Sequence, residues 1–139
     1  MGLKTLTYTS RASIDIKARD VLDIHQIALE LNALDGITGL LAFDGTRFLQ
    51  ILEGAPEAID DLMARLHADR RHSAIEIRHE QAIARRSFPE WSMQLVRVSA
   101  GYLRARAELG SVLPPGVAPG VRALILGMSD GLSRSFEME

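Results

Sequence analysis

At 139 residues the chain has the length of one domain with room for a short appendage. Apolar residues make up 47% and charged residues 24%, a globular balance that argues against disorder, and a formal charge of −2 offers no electrostatic case for nucleic acid. Cysteine is absent, which excludes disulfides, thiolate metal sites, iron–sulfur clusters and cysteine nucleophiles.

The start, Met1 to Leu6, lacks the apolar core of a signal peptide, and the apolar runs at 37–43 and 123–128 are far shorter than the ~20 residues that cross a bilayer. The expected setting is cytoplasmic, with no membrane or direct nucleic-acid partner. Residues 3–8 are rich in β-formers and predict a first strand. Asp20 is the expected N-cap of an amphipathic helix with Ile24, Ile27, Ala28, Leu31 and Leu34 at helical spacing and Gly36 as its stop. Two strand-like runs, 37–43 and 46–52, are joined by Asp44-Gly45, a strong hairpin signal. Pro56 opens a second helix whose apolar stripe is Ile59, Leu62, Met63 and Leu66. Residues 74–84 alternate as a strand with Ile75, Ile77 and Ile83 on one face, a turn around Pro89 follows, and Trp91–Val98 is the final strand.

The order β-α-β-β-α-β-β predicts an α+β ferredoxin-like sandwich, a mixed sheet with both helices on one face. A domain boundary is expected near residue 98, with 99–139 a short helical extension. Within it Tyr102–Leu109 and Val121–Met128 have helical character, and Val121, Leu124, Ile125 and Met128 form an apolar stripe suited to packing on the open sheet face, shielding an oligomer contact or holding a partner helix, with packing on its own domain the favoured expectation.

Enzyme signatures are missing. Gly36, Gly39, Gly45 and Gly54 form neither a dinucleotide fingerprint nor a phosphate loop. His25, His67, His72 and His79 lack metal-ligand spacing, so no metal site is expected. Asp60 and Asp61 are neighbours on a helix and cannot face each other, and Ser10 and Ser13 have no nucleophile context. What stands out is polarity on faces that should be apolar: Asn32 follows Ala28 and Ile24, Gln50 lies between Phe48 and Leu52, and Tyr8 shares a strand face with Leu6. Each alone reads as a core polar group bonded to a nearby loop. Three on adjoining elements suit a polar ring held between the helices.

Several runs carry a resemblance. They are Leu6-Thr7-Tyr8-Thr9-Ser10, Ile24 through Asn32, Gly36-Ile37-Thr38-Gly39-Leu40-Leu41, Phe43-Asp44-Gly45, Phe48-Leu49-Gln50-Ile51-Leu52-Glu53-Gly54, Asp69-Arg70-Arg71-His72 and Phe88-Pro89-Glu90-Trp91-Ser92-Met93. Together, over residues 3 to about 98, they resemble a BLUF domain, the blue-light sensor using FAD. The resemblance implies a photosensor domain at 1–98 that binds FAD noncovalently and is not itself an enzyme. By the same resemblance Tyr8 is the photochemical electron and proton donor and Gln50 the switching amide, while Trp91 and Met93 lie on the strand that rearranges with light. Asn32 matches the position at the ring's pyrimidine edge, Ile24 and Phe48 help line the ring pocket, and Arg65, Asp69, Arg71 and His72 fall near positions used for the FAD tail. Ala28 and Leu31 depart from residues common in the family. The expected output passes to an unidentified protein partner or an oligomer of the chain. The competing expectation is a ferredoxin-like small-molecule or acylphosphatase-type module without photochemistry; Arg11 near the first strand would suit the latter, but its Gly-rich loop is missing.

Overall fold

In the computed structural model, residues 2–13, 15–43, 46–87, 92–97 and 117–124 are described, with backbone only for 18, 31–35 and 92–97. The elements are β1 (Leu3–Ala12), α1 (Ala18–Asp35), β2 (Thr38–Phe43), β3 (Arg47–Gly54), α2 (Pro56–Ala68), β4 (His72–Ile83) and β5 (Ser92–Arg97). This is the expected β-α-β-β-α-β-β order. Pro56 opens α2, where its missing N–H is no loss, and Ile59, Leu62 and Met63 are buried along the helix.

α1 begins earlier than expected. Lys17 O accepts the amides of Asp20 and Val21, and the Asp20 carboxylate reaches back to Lys17 N–H at 2.8 Å. Lys17 therefore holds the cap position and Asp20 closes the turn from inside it, where a carboxylate also meets the positive end of the helix dipole.

The sheet order is β4-β1-β3-β2-β5. β1 pairs antiparallel with β3 and β4, β2 pairs antiparallel with β3, and β5 joins β2 in parallel. Two β-α-β units thus interleave, β1-α1-β2 around β3 and β3-α2-β4 around β1. Crossovers of one hand place both helices on the same face. The β2–β3 hairpin closes on the pair Phe43↔Phe48, a longer connection than a two-residue turn; Asp44 and Gly45 themselves lie outside the described residues. Gly39 has φ +149°, and a Cβ there would sit 1.8 Å from Ile51 O, so β2 approaches β3 at a distance only glycine allows.

Alternation divides the sheet. Leu6, Tyr8, Leu41, Phe48 and Leu52 face the helices and pack with Val21, Ile59, Leu62 and Met63. Thr5, Thr7 and Ile51 face the other way, beneath the buried Val117 and, from the helical segment 119–124, the buried Val121. That segment packs on the open sheet face, as expected for Val121 and Leu124; Ile125, Met128 and Tyr102–Leu109 lie outside the described residues. β4 corrects one expectation. Its pairing with β1 slips between Thr7 and Tyr8 and again between Thr9 and Arg11, where Ala74 takes φ 53°. An extra residue reverses side-chain parity. Ile75 consequently packs toward the helix-side core, Ile77 is 54% exposed on the edge, and Ile83 lines the opposite face with Thr5 and Thr7.

Candidate functional site

Tyr8 of β1 and Gln50 of β3 are direct cross-strand partners on the helix side of the sheet. The phenol donates to Gln50 Oε1 at 2.5 Å, and the two residues are 1% and 4% exposed. They form the floor of a cavity of about 130 Å³. α1 supplies one wall through Ile24, Ile27 and Ala28, α2 supplies the other through Leu62 and Leu66, and Leu41 of β2 completes the floor. α1 leans on β5 and β2 while α2 rests on β1 and β3, so the helices stand apart and the groove stays open. Ile27 is 39% exposed in that wall.

The mouth is ionic. Arg65, Asp69 and Arg71 line it where α2 ends. Arg71 donates from Nε and Nη2 to the Asp69 carboxylate and from Nη1 to Asp23 of α1 at 2.8 Å, bridging the end of α2 to α1. Hydrogen bonding from Arg71 holds the Asp69 carboxyl below its ordinary range, and the same bond keeps the guanidinium charged. Burial pushes the Tyr8 phenol well above its ordinary range, with the Asp69 charge adding to the effect, so Tyr8 keeps its proton.

Beside the groove, Ser10 Oγ lies 2.9 Å from His72 Nδ1, and Phe48 meets the His72 ring edge-on at 5.7 Å. Among the described residues, His72 Nε2 is buried without a hydrogen-bond partner. A buried lone pair costs less than a buried unsatisfied N–H, which favours the tautomer with the proton on Nδ1. Desolvation lowers the His72 pKa, partly offset by the Asp69 charge.

Of the residues singled out from sequence, Tyr8, Ile24, Gln50, Arg65, Asp69 and Arg71 come together in one cavity. Phe48 and His72 adjoin it outside its lining. The Asn32 side chain and all of Trp91 lie outside the described residues. Met93 is placed by its backbone on β5, where the pairing steps from Gly39↔Ser92 to Leu40↔Gln94 and leaves it without a partner. Ile27, Leu41, Leu62 and Leu66 also line the groove. Their signal was present as apolar periodicity, which does not separate a core position from a ligand wall.

The family model for BLUF, sensors of blue-light using FAD, matches residues 3–94. The chain belongs to the BLUF family. It is 35% identical over 92 residues to the photoactivated adenylate cyclase subunit beta of Euglena gracilis, a match covering 66% of this chain and 11% of that protein. The chain thus spans about a tenth of such a relative. Among solved structures, BlrB, a BLUF protein in its dark state, superposes with TM-score 0.70 at 32% identity, covering 97% of this chain and 95% of the other. The BlrP1 BLUF structure gives TM-score 0.78 at 29% identity, covering 94% and 93%. The fold is accordingly that of the BLUF sensors.

FAD is the family's cofactor, and the groove suits it. An apolar slot between separated helices, a polar pair on its floor and an arginine–carboxylate cluster at its mouth match a flat ring with a polar edge and a charged tail. Among the described residues no helix is long and apolar enough to cross a membrane.

Proposed function

We propose that this chain is a blue-light photoreceptor that holds FAD noncovalently between α1 and α2, with the buried Tyr8–Gln50 pair as its switch. That hydrogen bond, at the floor of the groove and shielded from water, is the observation that carries the reading. Bound FAD supplies a ring that absorbs blue light and, when excited, takes up an electron. Tyr8 is the donor: its phenol is protonated, desolvated and already bonded to the amide beside the ring. Gln50 receives the Tyr8 proton at Oε1. A carboxamide carries donors at one end and an acceptor at the other, so rotation or tautomerisation reverses what it presents to its neighbours. Once the electron and the proton have returned to Tyr8, Gln50 is left in a new arrangement, and the altered hydrogen bonding stores the signal without a covalent bond.

In the same reading Asn32 and Ile24 hold the ring edge and Phe48 supports its pocket. Arg65, Asp69, Arg71 and His72 hold the tail, and β5, with Trp91 and Met93, follows the light state. Residues 1–98 are the sensor and 99–139 the extension. The setting is cytoplasmic, and the output falls on a protein partner or a second copy of the chain, in keeping with a relative named for light-controlled cyclase activity.

The test is a dark-minus-light difference spectrum of flavin-loaded protein. A small reversible red shift of the flavin band under blue light is expected. A flavin-loaded protein with no shift overturns the photoreceptor reading and leaves a small-molecule module.

A further inference from the structure

Behind the groove, on the other face of the sheet, Glu53, the penultimate residue of β3, is only 2% exposed. Its Oε2 accepts the backbone N–H of Ser87 at 2.8 Å. The preceding residue, Arg86, donates from Nη1 to Thr38 Oγ1 and to the carbonyl of Glu53, each at 2.9 Å. Thr38 and Glu53 are themselves a cross-strand pair, the first rung of the β2–β3 ladder. Two consecutive residues of the β4–β5 connection are therefore fastened to one end of that hairpin, just ahead of β5.

β5 needs such fastening. It is an edge strand whose sheet neighbour is β2, the pair is parallel, and its register slips at Gly39/Leu40, beside the clamp. α1 in turn leans on β5 more than on any other strand. α1 carries the groove wall of Ile24, Ile27 and Ala28. A chain of support thus runs from Arg86 and Glu53 through β5 to α1 and ends at the width of the groove.

We propose that Arg86 and Glu53 are positioning residues for the cofactor groove, setting where β5 starts and thereby how closely α1 approaches the ring. The proposal rests on reading the groove as the flavin site. Arginine suits the role because one guanidinium nitrogen serves two acceptors at fixed angles. Its removal leaves a carbonyl and a hydroxyl short of a donor beside a buried carboxylate.

The experiment compares wild type, Arg86→Ala, Arg86→Lys, Thr38→Val and the α2 core variant Ile59→Val, all as full chains. Three quantities are read: the rate of flavin release in the dark, the vibronic fine structure of the flavin band, and amide hydrogen exchange in the flavin-free chain. Arg86→Ala should release flavin roughly tenfold faster, a difference of about 1.4 kcal/mol in grip. It should also blur the fine structure and speed exchange in β5 and α1 while leaving α2 unchanged. Arg86→Lys should restore most of each. Ile59→Val should lower stability without selective exchange in β5 and α1. Should Arg86→Ala fail to fold, Thr38→Val, which removes one acceptor, should show the same pattern more weakly.

Wild-type release and exchange in Arg86→Ala, or in Thr38→Val if that is the variant measured, would overturn the clamp. So would an equal acceleration of flavin release by Ile59→Val. A wild-type chain that takes up no flavin overturns the groove reading instead. In that case selective exchange in β5 and α1 still supports the clamp, and uniform exchange overturns it.

Discussion

On the helix side of β1 and β3, Tyr8 and Gln50 meet at the floor of an open groove; on the other side their neighbours Thr7 and Ile51 lie beneath Val117 and Val121. The strands are the same and the backbone between the two faces is one residue thick. On the groove side, the Tyr8 hydroxyl is bonded to Gln50 and Arg71 is bonded to the carboxylates of Asp69 and Asp23. On the packing side, the Thr7 hydroxyl is fully buried with no hydrogen-bond partner among the described residues. The Tyr8–Gln50 pair is held in a defined bonding state, whereas the Thr7 hydroxyl, which only packs, is left unsatisfied at a cost of ~1–3 kcal/mol.

The strongest way to break this contrast is at the groove floor. Tyr8→Phe removes the phenolic proton and Gln50→Leu removes the reversible amide, both at nearly constant volume. Each should retain flavin and abolish the light-induced red shift in a difference spectrum. A normal reversible shift in Gln50→Leu would place the switch elsewhere.

Val121→Ala probes the opposite face. Val121 is 3% exposed, and removing two buried methyl groups should cost about 1.5 kcal/mol in a denaturant midpoint. The flavin band and its light shift should stay put. A changed shift with little lost stability would mean that this face is more than packing.

Thr7→Val should act in the other direction. Replacing the orphan hydroxyl with a methyl group should stabilise the fold by about 1 kcal/mol. A comparable loss of stability would show that the hydroxyl is bonded after all.

Acidification is the mildest probe. Desolvation lowers the His72 pKa in the folded chain, so the unfolded chain takes the proton first as pH falls. Stability is therefore present above about pH 6.5 and declines as pH drops through the lowered value. Asp69, held low by Arg71, acts in a separate window: its contribution is lost below its ordinary value of 3.8, as pH falls through the lowered one. Denaturation midpoints between about pH 7 and 5 should fall for wild type and flatten in His72→Asn. A wild type that gains stability over that range would contradict the sign.

Local pattern alone determined much of this protein. Element order follows from periodicities of 2 and 3.6 residues, and the opposed faces of Tyr8/Thr7 and Gln50/Ile51 follow from strand alternation. Pro56 marked the start of α2 because its constraint acts on its own residue. The candidate pair Tyr8 and Gln50 was legible as polarity on apolar faces, although their bond spans 42 residues of sequence. Only the tertiary structure decided register and choice of partner. It placed the slips in β4 that turn Ile83 away from Ile77, set Arg71 on Asp23 48 residues away, and joined Arg86 to Thr38 across another 48. It also separated wall from core on stripes that look alike, so that Leu62 and Leu66 face the groove while Ile59 does not. Periodicity is a property of neighbours along the chain. Which distant hydrogen-bonding groups meet depends on how two β-α-β units interleave, and no local spacing encodes that.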